Sequence, residues 1–288
     1  MLLDQLAGDV VYSPYGLNRA LSVVREGATG ETRRALEAFS MPPAVPGVLS
    51  AQAAWLHADY RPGPKLPLDT GPLDLATINA WSNEKTRGMV PQILEEIGDD
   101  EIAVITDAEY LKARWAKPFE DARPAPFEGA GDVPMMRVEG EFEHGEDAVR
   151  IPYAEHDLRF VAMLGEWHDV EWRRRGEGVI ELPRFSTTSS LELDKVLGLA
   201  LPFGHDLDEL IDGPGEKGFG RIIQRARVDV DEEGTEAAAT TAVTIRAVSY
   251  SPPFHIALNR PFTWAIEHAS TQAVLFAGRV VHPTSRRD

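Results

Sequence analysis

Residues 213–218, Gly-Pro-Gly-Glu-Lys-Gly, satisfy the glycine spacing of a dinucleotide-binding turn. That chemistry needs a strand before the glycines and free backbone N–H groups around the phosphates. Here acidic loop residues precede the glycines, and Pro214 removes one donor, so the motif reads as an ordinary loop. No Gly-x-Ser-x-Gly elbow supplies a hydrolase nucleophile. No His-Glu-x-x-His occurs, and His144 and His156 lack ligand spacing, so they read as surface residues. Asp229, Asp231, Glu232 and Glu233 form a solvated acidic turn rather than a cation site. The chain has no cysteine, which excludes disulfides and thiolate chemistry. These patterns assign no catalytic residue, no metal and no cofactor.

What remains is residues 231–253, a stretch with conflicting preferences. Read with period 2, Thr235, Ala237, Ala239, Thr241, Val243 and Ile245 form a small, then β-branched face. Yet Glu236-Ala237-Ala238-Ala239 also favours helix, and Ser249, Ser251, Pro252 and Pro253 end the stretch as a loop. It is a latent strand in a segment that also suits an exposed loop.

The elements that must position it alternate around a single core. Residues 10–12 read as a short strand and residues 16–26 as a helix with Leu17, Leu21 and Val24 inward. Thr29 or Thr32 starts a second helix to about Phe39. Residues 51–60 and 102–111 read as strands around a helix at 74–85, with Pro-rich loops at 41–49 and 62–72. Strands follow at 149–152, 158–164, 179–185 and 221–230, with a helix at 191–201 before the last. Three more strands close the chain at 254–258, 262–267 and 274–281. With 288 residues and neither repeat nor linker, this predicts one α+β domain. A net charge of −17 argues against nucleic acid or an anionic membrane as partner. No apolar run reaches the ~20 residues of a membrane span. Residues 1–5 show no evident secretion signal, which leaves localisation, cytoplasmic or secreted, unassigned.

Several motifs in order resemble the serpin family over nearly the whole chain. They are Ser13-Pro14 with Gly27-Ala28-Thr29-Gly30-Glu31-Thr32; Ile78-Asn79 and Trp81 with Thr86 and Gly88; and Lys112, Trp115, Pro118 and Phe119. Val133-Pro134-Met135-Met136 with Phe142, residues 227–239, Asn259-Arg260-Pro261-Phe262 and residues 275–284 complete the set. The resemblance implies one domain over residues 1–288, with a large, mostly antiparallel central sheet, smaller sheets and helices. It implies an exposed reactive loop at about 232–253. Against the family pattern, the N-terminal helix is truncated and the 41–73 region shortened.

The resemblance further implies a shortened, bacterial-type, monomeric suicide inhibitor of a serine protease. Its hinge would be Glu232, Glu233, Gly234, Thr235, Glu236, Ala237, Ala238 and Ala239. Gly234 would let the chain reverse without a Cβ penalty, and Thr235, Ala237 and Ala239 are small enough to slide between strands. The family's spacing forward from Gly234 puts the cleaved bond at Val248–Ser249, for an elastase-like enzyme. Tyr250–Ser251 would suit a chymotrypsin-like or subtilisin-like enzyme, and Arg246–Ala247 a trypsin-like one. Ser13, Asp107, Trp115 and Gln224 fall where the family opens its sheet. Asp107 stands in place of the family's usual Asn and Gln224 in place of its His, a pair that can still hydrogen-bond. A non-inhibitory serpin acting as a binding or structural protein is the alternative. A hydrolase is the weakest reading, for want of a nucleophile.

Overall fold

The computed structural model describes residues 2–198, 204–218, 223–235 and 254–284. A 3-10 turn at Leu2–Gln5 leads to β1 (Val10–Tyr12). Ser13 then caps α1 (Pro14–Gly27): its Oγ accepts the Gly16 N–H at 2.9 Å, and Pro14 opens the helix where a missing N–H costs nothing. Leu17, Leu21 and Val24 are buried along α1, as their spacing predicts. The next helix, α2 (Gly30–Ala35), stops short of the expected Phe39, because Leu36 leaves helical geometry to pack fully buried against the α1 cluster.

The chain continues through β2 (Val48–Leu56), β3 (Arg61–Pro62), β4 (Asp69–Pro72), α3 (Leu75–Lys85), β5 (Ala103–Leu111) and β6 (Ala113–Arg114). Asp74 caps α3 through the Thr77 N–H at 2.8 Å. Then come β7 (Glu120–Phe127), β8 (Gly131–His144), β9 (Ala148–Pro152), β10 (Leu158–Leu164), β11 (Arg173–Pro183) and β12 (Phe185–Glu192). The remainder is α4 (Leu193–Leu197), β13 (Ile211–Asp212), β14 (Ile223–Val230), β15 (Gly234–Thr235), β16 (Phe254–Ala257), β17 (Phe262–His268) and β18 (Val274–Val280).

Several of these differ from the sequence reading besides α2: β2 is shifted to Val48–Leu56 from the expected 51–60, and β4 forms within the 62–72 stretch expected as loop. Residues 179–185 were expected as one strand; the chain instead changes sheet at Pro183, so β11 and β12 belong to different layers. The helix expected from residue 191 begins at Leu193, because the period-2 run from Phe185 carries Leu191 into β12. The Pro-containing strand β7 went unread; it pairs only with β8, and an outer strand tolerates the missing N–H of Pro124 and Pro126.

The largest sheet has nine strands in the order β1-β18-β17-β10-β9-β8-β11-β16, with β7 also on β8. It is antiparallel except for β11 with β16. Its inner face carries Phe160, Phe262 and Trp264, all fully buried, and Phe185 of β12 packs edge-on to Phe262 at 5.9 Å. Facing it are β4-β2-β5 and β12-β14-β15-β6. Among the described residues no strand joins β5 to β14, so these two groups present facing edges. The helix α1 packs between β5 and β18 beneath that divide.

Candidate functional site

The upper end of the divide holds the start of the predicted loop. After β14 the chain turns through Asp231–Glu233, and β15 returns antiparallel, pairing Thr235 with Val230 on one side and with Ala113 on the other. The Asp231 carboxylate builds the turn by accepting the N–H groups of Glu233 at 2.9 Å and Gly234 at 3.2 Å. Burial raises the Asp231 pKa above the usual carboxylate range.

Gly234 has no left-handed backbone. Its role differs from the chain reversal expected of it: a Cβ there would stand 2.1 Å from the Ala113 carbonyl oxygen. The glycine lets β15 lie against β6. Thr235 then faces inward, only 4% exposed, and its hydroxyl meets the Tyr153 hydroxyl at 2.7 Å. Burial pushes the Tyr153 phenol up, so it is neutral and able to donate.

Trp115 fastens the turn. Its backbone N–H donates to the Glu233 carbonyl and its indole N–H to the Asp231 carbonyl, each at 2.8 Å. The ring stacks on Tyr153 at 4.6 Å and meets Phe119 and Phe160 edge-on. The Phe119 N–H donates to the Glu232 carbonyl at 2.8 Å. The Glu232 carboxylate accepts from the Ala122 N–H at 2.9 Å and from both Nε and Nη2 of Arg184. Burial works against its charge, but Arg184 and Ala122 outweigh this, and the pKa lies below the usual value. Sequence reasoning missed Arg184, Ala122 and Tyr153. No local pattern links residues this far apart.

Lower in the divide, the expected pairing of Asp107 with Gln224 is not made. The Gln224 amide instead clasps the Ser13 backbone, accepting its N–H at 2.8 Å and donating to its carbonyl at 2.9 Å. Asp107 turns to Arg19 of α1, with 3.3 Å between Nη1 and Oδ1. The physical reason is charge: a carboxylate finds a cation where an asparagine would have taken an amide. The Ser13 hydroxyl donates to Leu275 O at 2.7 Å, tying α1 to β18. Beside this latch lies a cavity of about 150 Å³ lined by Leu17, Leu21 and Val24 of α1, Ile105 of β5 and Ile223 of β14.

Glu236, Ala237, Ala238, Ala239, Arg246, Ala247, Val248, Ser249, Tyr250 and Ser251 lie outside the described residues. Thus the structure brings Glu232, Glu233, Gly234, Thr235 and Trp115 together at the top of the divide, and Ser13 and Gln224 together lower down.

The family model described as "Serpin (serine protease inhibitor)" matches residues 66–283. The chain belongs to the serpin family. It is 26% identical to the human protein Z-dependent protease inhibitor, with 96% of this chain and 78% of that protein covered. A serpin-like protein of Thermococcus kodakarensis is 27% identical over 98% of this chain and 83% of its own length. The human alignment spans 350 positions against a chain of 288 residues, so the relative carries segments that face gaps here. Among solved structures, the native thermophilic serpin tengpin superposes with a TM-score of 0.81, at 22% identity over 96% of this chain and 89% of that one. A thyroxine-binding globulin complex with thyroxine superposes at 0.78, at 19% identity over 96% and 94%. These two likenesses establish the fold. Members of the family are mostly protease inhibitors that target serine proteases, rather than hydrolases, and some are non-inhibitory.

Proposed function

We propose that this protein is a suicide inhibitor of a serine protease, with Val248–Ser249 as its bait bond. The observation that carries the reading is the two-residue strand β15, already seated between β14 and β6 at the head of two facing, unbridged edges. A protease serine would attack the Val248 carbonyl, and the Ser249 amine would leave, giving an ester between enzyme and inhibitor. The freed segment after Thr235 would then continue β15 down the divide. Each added residue gains ladder hydrogen bonds, roughly 0.5–1.5 kcal/mol net apiece, set against its ordering entropy. The small side chains Ala237 and Ala239 suit passage between strands. The protease would be carried along and its site distorted before water reaches the ester.

The test is incubation with elastase-like, chymotrypsin-like, subtilisin-like and trypsin-like proteases, followed by denaturing electrophoresis. A denaturant-resistant adduct is expected, and the fragment released should begin at Ser249. A fragment beginning at Ser251 or Ala247 moves the bait to Tyr250 or Arg246 and changes the protease class. Simple turnover by every protease that cuts would remove the inhibitory reading in favour of a non-inhibitory binding protein.

A further inference from the structure

The strand β5 carries two carboxylates on the face turned to α1, Asp107 and Glu109. Each residue keeps some exposure, but not at Asp107 Oδ1, Asp107 Oδ2 or Glu109 Oε1, which are buried without a hydrogen-bond partner. Glu109 lies against the helix backbone: a Cβ on Gly16 would stand 2.4 Å from its Oε1. The glycine in the first turn of α1 is what admits this second acid.

The groups facing the pair are few. From α1 come Arg19, whose Nη1 is 3.3 Å from Asp107 Oδ1, and the Tyr15 phenol. From β2 comes Gln52, the cross-strand neighbour of Asp107, with a buried and unpaired Nε2. Ser13 at the start of α1 and Gln224 of β14, both neutral, line with Asp107 and Glu109 a small cavity of about 30 Å³. Two acids therefore share one cation, with three of their four carboxylate oxygens buried. With both ionised, one negative charge is uncompensated, which is the costly arrangement for buried groups.

We propose that Asp107 and Glu109, held against Arg19, form a proton-operated catch between β5 and α1. With one proton on the pair, its remaining charge is matched by Arg19 and β5 stays seated on the helix. With both carboxylates ionised, the surplus charge loosens β5 along the edge that faces β14. The catch therefore sets, through pH, how readily the divide widens. It rests on the open edge of β5 and not on covalent trapping of a protease.

Burial raises both carboxyl pKa values above the ordinary range, and the Glu109 charge raises Asp107 further. A raised folded value means that the native state holds protons the unfolded chain has already released. Stability is then greatest below the unfolded values of about 4 and declines as pH climbs through the raised ones.

The test compares the intact chain with Glu109→Gln by thermal unfolding from about pH 5 to about pH 8. The parent should lose Tm relative to the variant as pH rises, and the two curves should converge at the acid end. Hydrogen exchange of β5 amides, corrected for intrinsic rate, should quicken about tenfold or more over this range in the parent and not in the variant. Parallel Tm curves, or β5 exchange that rises equally in both proteins, overturn the proposal. Asp107→Asn should reproduce the Glu109→Gln behaviour. Should neither variant fold, the parent's infrared spectrum decides: a protonated-carboxyl band present near pH 7 in the folded protein and lost on unfolding is expected, and its absence overturns the catch. Because no protease enters these measurements, their outcome is separate from that of the inhibition assay.

Discussion

Gly234 and Glu232 are the residues on which the turn from β14 into β15 depends, for different reasons. Gly234→Ala would force a methyl group into the Ala113 carbonyl, whereas Gly204 has open space where a Cβ would go. We expect Gly234→Ala to lower stability by about 1–3 kcal/mol, as crowding a packed site does, and Gly204→Ala to change it little; urea unfolding of both decides. Glu232 acts through charge. Its lowered pKa means that its contribution is present above the unfolded carboxylate range and lost as pH falls through the folded value. Arg184 is 40% exposed, so solvent screening holds the contribution to about 1 kcal/mol. Glu232→Gln should therefore unfold at lower denaturant than the parent near pH 7, with the gap closing in acid. A gap that persists unchanged at low pH would assign the effect to packing rather than to the ion pair.

At the scale of elements, β15 is a strand of two residues between the eight-residue β14 and the two-residue β6, a start that its sequence permits to continue. If it does continue, a cut in the loop should release the tether and raise the Tm of the cleaved protein well above that of the intact one. Scanning calorimetry before and after limited proteolysis measures this directly, and an unchanged or lower Tm would count against insertion. Thr235→Arg should prevent the rise. It would place a cation where a hydroxyl now meets the buried Tyr153 beside Trp115, and an unpaired buried charge is costly. This variant should be cleaved as a substrate without forming an adduct. Equal adduct yield from variant and parent would show that Thr235 does not face inward during insertion.

For the whole molecule the charge balance matters. A net charge of −17 on 288 residues makes the compact state repel itself, and ions screen that repulsion over about 10 Å at 0.1 M. Adding sodium chloride to about 0.5 M should raise the Tm at neutral pH, with the larger gain in the more strongly charged, higher-pH samples. A fall in Tm with salt would mean that ion pairs such as Arg184 with Glu232 outweigh the general repulsion. The same surface should give no measurable retention on anionic vesicles or on nucleic acid.

Much of the order of strands and helices, though not β4 or β7, was legible in the sequence because it rests on local periodicity. The α1 spacing of Leu17, Leu21 and Val24 and the alternation through β14 follow from which side must be buried, whereas β10, β17 and β18 are buried on both faces and were legible as apolar runs. The small-residue run after Gly234 could likewise be read as a candidate hinge, since side-chain volume is a property of the chain itself, but residues 236–253 lie outside the described ones. Contacts between distant residues were not legible. That Gln224 holds Ser13 while Asp107 turns to Arg19, that Arg184 grips Glu232, and that Gly234 is needed for the Ala113 carbonyl all depend on tertiary packing. Residue types alone allowed Asp107 and Gln224 to pair. Only the folded chain, by placing a buried cation within reach of the carboxylate, decided that they do not.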